Sequence, residues 1–307
     1  WGTILYDQGV ITAFPAEVIP QLELDINPSA YKAIMYENIP IALPYAIYGI
    51  VMVRNTAIIP SAPETFEELV TFSQNASKGR IIGAYLERGD LFAYGQITAC
   101  GGQMIFPNGY PGFNNSSGLC WFNLLELFES AGPISFNSDD DLVRFKAGNI
   151  GLIFAGTWQL SGLQESLGDN LQIDPWPAFG DSHLSGYVWT ENIYINSLMD
   201  GLEFDNALKF SQYFLSPEGQ AAFAELGIIP ATLYRDVRDP LIFQAVVALM
   251  DGTPYPVSPK FEYYLEPMHE ALLAVFEQEV APSVALQAAE DKITNAIDDF
   301  SEEDRDF

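Results

Sequence analysis

Four short runs rich in β-branched and aromatic residues, Tyr48 to Arg54, Arg80 to Leu86, Asn149 to Phe154 and Asn192 to Asn196, alternate along the chain with segments of helical period. Strands separated by helices cannot pair as simple hairpins, so this alternation predicts an α/β architecture with largely parallel sheets. The clearest helix start is Thr65-Phe66-Glu67-Glu68 after Pro63, a capping-box pattern followed by apolar Phe66, Leu69, Val70 and Phe72. Further helices are expected at Leu119 to Ser130, at Asp139 to Ala147 with its acids at the positive end, and at Asp205 to Leu215. Ser216-Pro217 supplies a cap and first-turn proline for another, which Gly227 can close, and Ser283 to Ile297 is amphipathic.

With 307 residues, 49% hydrophobic and 18% charged, the chain is long enough for two core-forming domains. Its most apolar runs, such as Ile150 to Ala155, are strand-sized and fall well short of the roughly 18 residues of a membrane helix. The chain opens at Trp1 without a basic, apolar leader, so an export signal is expected upstream or already removed. Thirteen Lys plus Arg against forty-one Asp plus Glu give a formal charge of -28, which repels phosphate backbones and anionic membranes and removes nucleic acid from the expected partners. The closing Asp298 to Asp306 stretch reads as a solvated, frayed tail.

Cys100 and Cys120 are read equally as one disulfide or as two buried thiols, because spacing cannot place their Cα atoms. With His183 and His269 they make no zinc spacing, and neither metal nor cofactor is expected. There is no Walker-type loop, Gly-x-Ser-x-Gly elbow or His-Glu-x-x-His, and a carboxylate pair such as Glu87 with Asp90 carries little information in so acidic a chain. The chain is therefore read as a non-enzyme. Asp139-Asp140-Asp141 lacks the ligand alternation of a calcium loop and fits a helix start better. Asn75-Ala76-Ser77 and the overlapping sequons at Asn114 and Asn115 matter only where the source glycosylates.

Aromatic residues carry more information. Tyr45, Tyr48, Trp158, Trp189, Phe261, Tyr263 and Tyr264 are flanked by Gly, Pro or polar residues. An aromatic face can cover the C–H face of a pyranose while nearby acids and amides take its hydroxyls. For each of these residues core packing is the competing reading.

Five motifs in order resemble one family. They are Ile41-Ala42-Leu43-Pro44-Tyr45-Ala46-Ile47-Tyr48-Gly49 running on to Asn55, Pro63 to Leu69, Phe145 to Leu152 with Gly156-Thr157-Trp158, Leu215 to Phe223, and Gly227 to Ala231. Together they are similar to the bacterial solute-binding proteins that include the maltose-binding protein. That resemblance implies two α/β lobes of the type II periplasmic-binding-protein kind, joined by crossing strands with the ligand between them. It implies lobe 1 over residues 1–48 plus 192–236, incomplete at its front, and lobe 2 over residues 49–191 plus 237–307. Tyr48 would lie beside the first crossing and Trp158 on the family's stacking tryptophan. Trp189 and Glu191 fall near the second crossing, Glu87 and Asp90 in a contact loop, and Tyr263 and Tyr264 near a late aromatic contact. The implied function is extracytoplasmic capture of a small polar ligand, above all a sugar, by a monomer that hands it to an ABC permease, with a lipid anchor upstream as one option. An alternative is a surface structural or interaction protein that reuses the fold.

Overall fold

In the computed structural model of the protein, residues 2–15, 18, 26–136, 139–233 and 238–303 are described. A seven-stranded mixed sheet forms its centre. In chain order the strands are β1 (Leu43–Asn55), β2 (Ile82–Glu87), β3 (Ile134–Ser135), β4 (Ile150–Gly156), β5 (Leu171–Asp174), β6 (Tyr187–Ile193) and β7 (Thr253–Pro254). The order across the sheet is β7-β6-β1-β4-β2-β3, with β5 also hydrogen-bonded to β1. β2 runs parallel to β3 and β4, and β7 parallel to β6, whereas β1 is antiparallel to β4, β5 and β6. The sheet is therefore mixed rather than largely parallel.

β1 organises the molecule. Its first half pairs with β6, from Leu43 opposite Ile193 to Gly49 opposite Val188. Its second half pairs with β4 on one side, from Ile50 opposite Gly156, and with β5 on the other, from Met52 opposite Asp174. Successive side chains of a strand point to opposite faces, and here both faces are covered. Ile50 and Met52 of β1 and Leu152 and Phe154 of β4 enter one core cluster with the helices Phe66–Ala76, Ser116–Leu127, Leu265–Gln278 and Pro282–Glu303. Val51 and Val53, with Ile153 and Ala155, enter the other, beneath the helices Pro28–Ala33, Leu160–Leu167 and Pro240–Ala248. A strand buried on both faces reads as a continuous apolar run, which is what residues 49–53 supply.

The expected strand at Asn192 to Asn196 is two strands. β6 changes register between Glu191 and Asn192 and ends at Ile193, and Ile195–Asn196 then pairs with Ile11–Thr12. The irregularity turns the chain from one partner to another. Beside it, Ala46 bridges Pro230 and the Ile47 N–H donates to Ile229 O, so β1 is also held from the far side of the sequence.

Local signals hold well. Thr65 Oγ1 accepts from the Glu68 N–H at 3.1 Å, while Glu68 Oε2 reaches back to the Glu64 N–H, one residue earlier than the capping box predicts. Ser216 Oγ accepts from the Gly219 N–H at 3.1 Å, and Gly227 stands at φ +76° just past the helix Pro217–Glu225. The helix expected at Asp205 starts earlier, at Gly201, and ends at Phe214. The acidic tail is helical through Glu303, and Asp298 Oδ1 accepts from the Tyr110 hydroxyl at 2.6 Å; residues 304–307 lie outside the described residues. Cys100 and Cys120 are joined, with Cα atoms 5.9 Å apart, tying the 3-10 helix Tyr94–Cys100 to Ser116–Leu127. Among the described residues no helix is long and apolar enough to cross a membrane.

Candidate functional site

Of the thirteen residues of β1, only Tyr45 and Tyr48 are not fully buried. The Tyr45 hydroxyl donates to the Glu191 carboxylate, which reaches it from β6 and whose charge also bears on the Tyr48 phenol. The bond to Glu191, followed by burial, pushes the Tyr45 phenol up to about 12. Burial and then the Glu191 charge raise that of Tyr48. Both phenols therefore stay protonated at neutral pH. On its other side the Tyr45 ring meets Phe214 at 5.8 Å and Phe223 at 5.2 Å, so this polar knot is anchored to two helices.

Register places Trp189 directly opposite Tyr48. Trp158 comes to the same place from the end of β4. There the chain leaves the sheet at Gly156, makes a single 3-10 turn, Thr157–Gln159, and enters the helix Leu160–Leu167. Gln159 Oε1 accepts from the Gly156 N–H at 3.0 Å and Thr157 Oγ1 from the Gly49 N–H at 3.3 Å, which lock the corner to β1. The indole of Trp158 folds back over Gly156 so closely that a Cβ there would lie 2.1 Å from Trp158 Cζ2. Only glycine fits beneath it. The ring then meets Trp189 at 5.4 Å and a 36° tilt, leaving Trp158 50% exposed, unusual for an indole with so much apolar surface to hide.

Trp189, but not Trp158, Tyr48 or Glu191, lines a cavity of about 380 Å³. Trp189, Thr190 and Asn192 of β6, Tyr255, Glu262 and Leu265 line it, and Thr3 and Met35 contribute from the front of the chain. Glu262 is the one charged residue among the lining residues described. Thr190 Oγ1 and Asn192 Oδ1 are buried within this wall and have no hydrogen-bond partner among the described residues. The volume and the mix of aromatic surface with a few polar groups suit a small polar ligand.

The structure thus brings Tyr48, Trp158, Trp189 and Glu191 together. It does not bring the other expected residues there. Glu87 is buried at the end of β2, and Asp90 accepts from His269 Nδ1 at 3.0 Å. Tyr264 is wholly buried, its hydroxyl donating to Gly109 O at 2.9 Å and its ring stacked on Phe261. Tyr263 is half-buried against the same core. The cavity takes Phe261 and Glu262 from that segment instead. Thr190 and Asn192 carried a signal the sequence reading passed over, since they alternate with Trp189 and Glu191 on one strand; Tyr255 and Leu265 carried none.

Comparison with known proteins agrees with this geometry. The fold superposes on a cyclo/maltodextrin-binding protein complexed with maltotetraose, with TM-score 0.82 and 20% identity over 96% of this chain and 80% of that one. It superposes equally on the extracellular solute-binding protein from Staphylococcus aureus in complex with maltose, with TM-score 0.82 and 20% identity over 97% and 81%. A maltose/maltodextrin-binding domain from Bdellovibrio bacteriovorus bound to maltotriose gives TM-score 0.72 and 19% identity over 96% and 82%. The chain therefore has the two-lobed type II periplasmic-binding fold. Residues 2–237 match the family model of the bacterial extracellular solute-binding proteins, and this chain belongs to that family.

Proposed function

We propose that this protein captures a neutral saccharide, extracytoplasmically and as a monomer, and presents it to an ABC permease. The observation that carries the reading is the half-exposed Trp158 ring held against Trp189, which in turn lines a 380 Å³ cavity. Apolar pyranose faces stack on such rings, while hydroxyls pair with carboxylates and amides. Glu191 presents its carboxylate beside Tyr45 and Tyr48. The three structural relatives were each solved with a malto-oligosaccharide, which supports the same class. The net charge of -28 and the single carboxylate of the lining disfavour an anionic ligand.

In this reading lobe 1 comprises residues 1–48 plus 192–236 and lobe 2 residues 49–191 plus 237–307. β1 and β6 are the crossing strands, and closure brings the lobes over the sugar through small changes at strand ends. Trp158, Trp189, Tyr48 and Glu191 contact the ligand. Glu87, Asp90, Tyr263 and Tyr264 support the second lobe behind the site. No covalent chemistry is involved.

Calorimetric titration of mono- and oligosaccharides tests the proposal. Saturable binding of at least one is expected, weakened about thirtyfold in Trp158→Ala, equivalent to ~2 kcal/mol. Unchanged affinity in that variant would remove Trp158 from the site, and no binding across the panel would remove the sugar.

A further inference from the structure

Tyr45 and Tyr48 stand three residues apart on β1, and successive side chains of a strand point to opposite faces. Regular alternation would therefore set the two rings on opposite sides of the sheet. Yet the Tyr45 hydroxyl donates to Glu191, whose charge also bears on Tyr48. The cause lies in the register between β1 and β6. Ala46 is opposite Glu191 and Pro44 opposite Asn192, so Tyr45 is an extra residue with no partner across the ladder. Such a bulge re-aims the side chain of the extra residue.

The bulge also takes the Tyr45 carbonyl out of the ladder, and a buried side chain accommodates it. Gln220, 0% exposed in the helix Pro217–Glu225, donates from Nε2 to Tyr45 O at 3.0 Å and to Phe214 O at 2.6 Å. Its Oε1 accepts from both the N–H and the hydroxyl of Thr232 at 3.1 Å. A buried amide satisfied at both ends fixes the backbone that it holds. With the ring packed on Phe214 and Phe223, the Tyr45 hydroxyl is set by its surroundings before any ligand arrives.

Glu191 is the opposite case. It is exposed, on a strand that ends two residues later, where an unrestrained glutamate spreads over several rotamers. Ordering such a side chain at the moment of binding costs affinity, and a neighbour that orders it beforehand removes that cost.

We propose that Tyr45 is a positioning residue of the saccharide site: by donating to Glu191 Oε2 it holds the carboxylate in the orientation from which it accepts a sugar hydroxyl. This rests on the saccharide reading above and adds to it a residue that need not touch the sugar.

Maltotriose and its monodeoxy analogues, titrated by calorimetry into the intact chain, test it. In the wild type the analogue that lacks the hydroxyl accepted by Glu191 should bind about tenfold more weakly than maltotriose, the effect of one hydrogen bond to a charged group. Tyr45→Phe keeps the ring against Phe214 and Phe223, so the melting temperature should hold. Maltotriose should then weaken about fivefold while that analogue is unaffected, so the ratio between them shrinks. In a Glu191→Gln background Tyr45→Phe should add no further loss. A merely structural role would weaken all the saccharides alike and leave the ratio unchanged, which would overturn the role of Tyr45 alone, as would a full additional loss in the Glu191→Gln background. No maltotriose binding by the wild type would instead overturn the saccharide reading, and the role of Tyr45 with it.

Discussion

The indole of Trp158 rests on the α-carbon of Gly156 two residues before it, and that contact aims the ring at Trp189, 5.4 Å away. Backbone and aromatic platform are thus one unit: β4 delivers the glycine, the 3-10 turn reverses the chain, and the tryptophan returns over the glycine it has just left.

Gly156→Ala should therefore act as a binding mutation although residue 156 presents no side chain to a ligand. A methyl group 2.1 Å from Trp158 Cζ2 cannot be accommodated, so the indole must swing away from Trp189. Saccharide affinity is expected to fall at least tenfold, with a shift in tryptophan emission and a small change in melting temperature. Unchanged emission together with unchanged affinity would refute the contact.

Arg54 and Asp174 join β1 to β5 in a two-pronged ion pair, Nε to Oδ2 at 2.5 Å and Nη2 to Oδ1 at 2.8 Å, and Nη1 also donates to Ile59 O and Pro60 O. Both residues are buried. Arg54→Met leaves Asp174 charged without its cation and should cost about 3–5 kcal/mol in urea unfolding. The double variant Arg54→Met with Asp174→Leu should recover much of that loss, and failure to recover would show that the loop carbonyls of Ile59 and Pro60, rather than Asp174, set the cost.

Asp141 lies in the first turn of the helix Asp140–Lys146, as its acidic run predicts, but it is 4% exposed, and burial lifts its carboxyl to about 6 despite hydrogen bonds from backbone N–H groups. A carboxyl raised on folding binds more protons in the folded state, so stability falls as pH rises from about 4 through 6 and the penalty is complete above that. Asp141→Asn should then stabilise the protein at pH 7.5 by on the order of 2 kcal/mol and have no effect at pH 3.5. Denaturant midpoints at the two pH values decide it, and a variant with the same stability increment at both would rule out the titration.

The Cys100–Cys120 bond closes a loop with a sequence separation of 20, for which chain entropy gives about 3 kcal/mol. Reduction, or the Cys100→Ser Cys120→Ser pair, should lower the unfolding free energy by about that amount while leaving saccharide affinity unchanged, because neither residue lines the cavity. Free-thiol titration of the native chain giving two reactive thiols would refute the bond itself.

How much of this was legible in the sequence follows the range of the interactions. Caps at Thr65 and Ser216, the turn glycine Gly227 and the apolar run of β1 depend on neighbours within about one helical turn or on alternation along one strand, and the chain states them directly. The ordered motifs likewise declared the family, and Gly156-Thr157-Trp158 marked the corner. What the sequence could not state is which partner a strand meets. Phe261, Glu262 and Tyr264 occupy one turn of chain, yet packing turns the first two to the cavity wall and seals Tyr264 against Gly109 O. On β6, Tyr187, Trp189 and Glu191 share one alternation, but β7 and the segment after it cover Tyr187 while Trp189 and Glu191 remain open to Trp158, Tyr45 and Tyr48. Whether two cysteines bond, and whether an aspartate is solvated, are likewise set by atoms distant in the chain and adjacent in space. Local backbone preferences wrote the elements; the burial and partners of individual side chains were decided only when β1 brought them to a common sheet.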